Sequence, residues 1–129
     1  MKLLVFFLAT SLYSAAQTQT AMNADAFEAY NKADLALNEA YKLLKTTYAA
    51  DTLFVNQLKK TQRVWITYRD ASLEMKYPAL DKRLTYGSVY PMCASYYLKE
   101  LTNARTAQLQ EWLDGTLEGD VCSGSVRNK

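Results

Sequence analysis

Three long stretches of this chain repeat apolar residues at three-and-four spacing, and its helix breakers fall between them. That pattern predicts three helices, over about Met22–Tyr48, Thr52–Tyr77 and Met92–Asp114. Asn23 or Thr20 is placed to cap the first, and Asp51 the second. Pro78 disfavours helical geometry at Tyr77, Pro91 suits an opening turn, and Gly115 suits a stop. The link Ala49–Asp51 is short enough to force antiparallel neighbours. The expected fold is therefore all-α: an antiparallel up-down-up three-helix bundle with a long loop, residues 78–90, between helices two and three. With four glycines and two prolines in 129 residues, a turn-rich sandwich is disfavoured.

Residues 1–16 read as a signal peptide. Lys2 is the positive end, Leu3–Tyr13 the apolar run, and Ser14-Ala15-Ala16 the small residues at a cleavage site. The alternative is an anchor left uncut. Cleavage leaves residues 17–129 as a single helical domain, with its core at about 22–114 and an irregular tail at 115–129. The expected location is periplasmic or secreted. Removing Lys2 brings the balance of 15 basic and 13 acidic residues closer to neutral. Such a balance argues against a nucleic-acid partner. The helices lack a basic polar face, so stable membrane insertion after cleavage is not expected.

Histidine is absent, which excludes Ser-His-Asp and Cys-His catalysis and His-ligated metals within the chain. No phosphate loop, nucleophile elbow or metal motif occurs. Carboxylates such as Asp70, Glu74 and Asp81 are the remaining acid–base candidates, and an i,i+4 pair such as Asp70 and Glu74 is ordinarily solvated surface. No catalytic residue, cofactor or metal is expected. Export permits a disulfide between Cys93 and Cys122, with two separate thiols as the alternative.

The predicted apolar stripes are Phe27, Tyr30, Asp34, Leu37, Tyr41, Leu44 and Tyr48; then Phe54, Leu58, Thr61, Trp65, Tyr68, Ser72 and Met75; then Leu98, Leu101, Arg105, Leu109 and Trp112. Asp34 and Arg105 are the charged exceptions. At 1.5 Å per residue, Asp34, Trp65 and Arg105 lie roughly 18–20 Å above the lower ends of their helices. The expectation is a pair between Asp34 and Arg105 with Trp65 beside the guanidinium. Asp70 is the second candidate partner for Arg105.

Four segments in order carry a resemblance: Ala33–Tyr41, Gln62–Asp70 with its Trp65, Tyr68, Arg69 and Asp70, Tyr90-Pro91-Met92, and Leu101–Thr106. Together they resemble the LprI-type lysozyme-inhibitor family of small exported bacterial helical domains. The resemblance covers about Met22–Leu113 and implies lysozyme, or another envelope protein, as partner. Trp65, Arg69, Asp70 and Arg105 then read, with Asp34, as a structural polar core. Family members often carry cysteines where this chain has Asp25, Leu73 and Tyr97. The candidate partner surface is the long loop, through Lys82, Arg83, Tyr86, Ser88 and Tyr90, able to enter a cleft that carries two carboxylates. The same residues could instead fold back as a lid. The alternative function is an envelope interaction or structural module with a protein or glycan partner and no inhibitory activity.

Overall fold

A computed structural model describes residues 2–129, with side chains described from Thr18 onward. Its elements are α1 (Lys2–Thr47), α2 (Thr52–Lys76), α3 (Lys82–Tyr86) and α4 (Tyr90–Asp114). Among the described residues there is no strand, and no helix is long and apolar enough to cross a membrane. Three helices are long and one is short, and α1 runs alongside α4 in the same direction, Asn23 level with Ser88 and Tyr48 with Trp112. The long loop differs from expectation in holding the short helix α3. The expected signal peptide lies in residues whose side chains are outside the described set. The expected start near Met22 is not a break: α1 continues upstream through it. Asn23 does not cap a helix there. Its side chain donates to the Ser88 carbonyl at 3.1 Å.

Local chemistry sets the other ends. Asp51 accepts from the Phe54 amide at 2.9 Å and so satisfies an opening N–H of α2. Asp81 does the same for α3 through the Leu84 amide at 2.8 Å. Pro78 follows the end of α2, and Gly115, with φ at 73°, ends α4 in the left-handed region.

The closest seam is α1 against α4. Its cause is small side chains at heptad spacing: Ala26, Ala33 and Ala40 on α1, and Ser95 and Thr102 on α4, all buried. Thr102 has no exposure, and its hydroxyl donates to the Leu98 carbonyl at 2.7 Å, one turn back. The first stripe is thus corrected. Phe27 is 57% exposed, and the alanines one residue round the helix are buried instead. Tyr30, Asp34 and Tyr41 form the half-buried side arc of α1. On α2, Tyr68 and Met75 are exposed, whereas Gln62 is buried.

Leu37, Leu44, Tyr48, Leu58 and Leu109 make the main core at the upper end, flanked by Phe54, Trp65 and Trp112. Each buried leucine contributes roughly 1.5–3 kcal/mol. The tail is not loose there. Thr116 donates to the Arg127 carbonyl and Lys129 to the Thr116 carbonyl, both at 2.9 Å, closing the tail into a loop over the core. The Tyr48 hydroxyl donates to the Trp112 carbonyl at 3.0 Å and accepts from the Arg127 amide at 3.2 Å. The Arg127 guanidinium lies 4.1 Å from the Tyr48 ring centre.

Candidate functional site

Asp34 and Arg105 do not pair. Arg69, projecting from α2, takes Asp34 at 3.9 Å, and its Nε and Nη2 both reach Asp70 Oδ1 at 2.8 Å. Its guanidinium lies 5.4 Å from the Trp65 ring centre, and its side chain is only 17% exposed. Burial alone would lower the Arg69 pKa. The hydrogen bond to Asp70 and the charges of Tyr30, Asp70 and Asp34 outweigh that and hold it above its usual value. Tyr30 is raised, chiefly by burial, with Arg69 opposing. This cluster ties α1 to α2.

Arg105 sits higher. Its Nε donates to Gln62 Oε1 at 3.1 Å, Nη1 to Gln108 Oε1 at 3.2 Å and Nη2 to Thr61 Oγ1 at 3.3 Å. The level error has a measurable origin. Asn23 meets Ser88 at the bottom and Tyr48 meets Trp112 at the top, offsets of 65 and 64 residues. The expected helix starts, Met22 and Met92, imply a larger offset. The difference of five or six residues raises Arg105 by roughly 8–9 Å relative to Asp34. The cause is the crossover, which fills the base of the bundle and leaves α4 to begin higher along α1.

That crossover is braced from inside. Lys82 Nζ donates to Glu74 Oε2 at 2.7 Å and to the Tyr77 carbonyl at 2.6 Å. The Glu74 bond holds Lys82 above the ordinary lysine range. Tyr86 and Tyr90 each meet Tyr77 edge-on at 5.2 Å and each other at 6.0 Å. The Tyr86 hydroxyl accepts from the Ala79 amide at 3.2 Å. Of the five loop residues expected to face a partner, Lys82, Tyr86 and Tyr90 thus turn at least partly inward, while Arg83 and Ser88 are exposed. Beside Arg83 stand Leu80 and Leu84, both strongly exposed. Sequence reasoning missed these leucines; their i,i+4 spacing around Asp81 was the available signal. The acid–base candidates Asp70 and Glu74 are each engaged by a cation, Arg69 and Lys82.

The expected disulfide is also corrected: Cys93 and Cys122 are free. Cys93 lies in the first turn of α4 and Cys122 in the tail beyond its far end, so about 30 Å of helix separates them. A disulfide needs α-carbons within about 7 Å.

A family model described as "Lysozyme inhibitor LprI" matches residues 11–109. The chain belongs to the LprI family. An uncharacterised protein of Rhizobium meliloti (strain 1021) is 36% identical over 110 residues, covering 77% of this chain and 76% of its own. No solved structure matches. All four segments that carry the LprI resemblance lie on the long helices, with Tyr90-Pro91-Met92 opening α4. Arg69 and Trp65 within them serve the bundle, whereas Leu80, Arg83 and Leu84 of the crossover are exposed. The LprI name concerns inhibition of an enzyme, and implies lysozyme as a possible partner.

Proposed function

We propose that this LprI-family chain is an exported periplasmic or secreted module that binds a lysozyme and obstructs its cleft with α3. Residues 1–16 act as its signal peptide in this reading. One observation carries it: Arg83 stands exposed on α3 with Leu84 beside it and Leu80 just before the helix, which is pinned by Asp81, Lys82 and the three tyrosines. A cation flanked by two apolar side chains suits a sugar cleft floored by two carboxylates. A braced helix also loses little entropy on docking. In this arrangement Lys82, Tyr86 and Tyr90 frame the knob, and Arg83 and Ser88 meet the partner.

The test is lysis of bacterial cell walls by a panel of lysozymes, with the purified protein in excess. Lysis by at least one lysozyme should slow. Arg83→Ala with Leu84→Ser should weaken inhibition at least tenfold without shifting the thermal midpoint, since neither side chain is packed. Unchanged lysis across the panel overturns the reading.

A second reading, an envelope interaction module without inhibitory activity, draws on the exposed Val64 and Tyr68 beside Trp65 on α2. Such rings suit a protein or glycan surface. Full lysis together with specific capture of one envelope component would favour it.

A further inference from the structure

Between α2 and α4 an apolar groove of about 210 Å³ is lined by Phe54, Leu58, Leu109 and Trp112, with Arg105 and Thr61 along one side and Ser125 of the tail at another. The two arginines of the bundle are in opposite conditions. Arg69 is neutralised by two carboxylates. Arg105 is half-buried and, among the described residues, has no ion pair. Its three acceptors, on Gln62, Gln108 and Thr61, are all neutral. A guanidinium has five N–H groups, so two remain. Burial pulls Arg105 below its usual range, with no carboxylate near enough to offset it. Holding a cation in partly dry surroundings is costly unless an anion completes it.

We propose that this groove is a binding site for a small apolar molecule bearing one carboxylate, its ring or chain lying against the touching rings of Phe54 and Trp112, 6.1 Å apart, and its carboxylate on the free N–H groups of Arg105. The rings supply flat apolar walls. A carboxylate on Arg105 makes charge-assisted bonds that an alcohol cannot match. The volume lies below the range of about 300 Å³ and upward typical of drug-sized pockets, so the apolar part is a single ring or a short chain. The indole N–H of Trp112 is already given to Ser125 Oγ at 2.9 Å, leaving Arg105 as the polar anchor. This site lies at the opposite end of the bundle from α3 and does not depend on lysozyme binding.

The experiment is a titration of the purified protein followed by ¹⁵N NMR at the Trp112 Nε1–H and Arg105 Nε–H signals. The probes are 3-phenylpropionate, 3-phenylpropanol and N-acetyl-glycyl-phenylalanine. The acid should shift both signals saturably and bind at least roughly tenfold tighter than the alcohol. Arg105→Gln should abolish that preference. Gln57→Trp, on the exposed groove wall, should block all three probes without touching the core. Tighter binding of 3-phenylpropionate than of the dipeptide supports the proposal, and tighter binding of the dipeptide assigns the groove to chain ends and overturns it. Absence of saturable shifts, equal binding of acid and alcohol, or indifference to Gln57→Trp overturns the proposal.

Discussion

Tyr48 shows how much one residue can hold. Its ring packs 4.5 Å from Phe54, its hydroxyl joins α4 to the tail, and Arg127 covers its face. Tyr48→Phe keeps the ring and removes both hydrogen bonds. It should cost about 1–2 kcal/mol, read as a lower urea midpoint at unchanged slope, with faster amide exchange at Arg127. Tyr30 gives a pH signature. Its folded pKa is raised above the ordinary tyrosine value of about 10, chiefly by burial. The unfolded chain therefore loses this proton first as pH rises. Stability is intact below about pH 10 and declines from there through the raised value. Tyr30→Phe should flatten that part of the decline in alkaline unfolding curves; an unchanged slope would mean the phenol is solvated.

At the scale of elements, ends and faces behaved differently. The ends of α2 and the stop of α4 were legible, because Asp51, Pro78 and Gly115 act on their immediate neighbours. The buried face of α1 was not fully legible. Reading by side-chain size selects Phe27, but close approach to α4 rewards Ala26, Ala33 and Ala40. The tail illustrates an element held by one backbone conformation. A β-carbon on Gly115 would meet the Arg127 carbonyl oxygen at 2.8 Å, at a φ of 73° that side chains rarely adopt. Gly115→Ala should cost on the order of 1–3 kcal/mol and release the tail. Limited proteolysis between residues 117 and 126 should accelerate, while helix content by circular dichroism stays constant.

At the scale of the whole molecule, the two cysteines lie toward opposite ends of α4. Alkylation without reductant should add two adducts, Cys122 reacting before the less exposed Cys93. Added reductant should leave the thermal midpoint unchanged, since no cross-link contributes to it. A single-chain species that resists alkylation would contradict the geometry. The sequence by itself determined the three long helices and placed Asp34 and Arg105 on their half-buried sides, but it put Tyr68 inward on α2 where Arg69 is the enclosed side chain. The helices and those two placements depend on periodicity and on neighbours along the chain. Only the tertiary structure decided which charges meet. The height at which α4 begins depends on how the tyrosine crossover packs into the base. A displacement of about 8–9 Å there gives Asp34 to Arg69 and leaves Arg105 without a carboxylate.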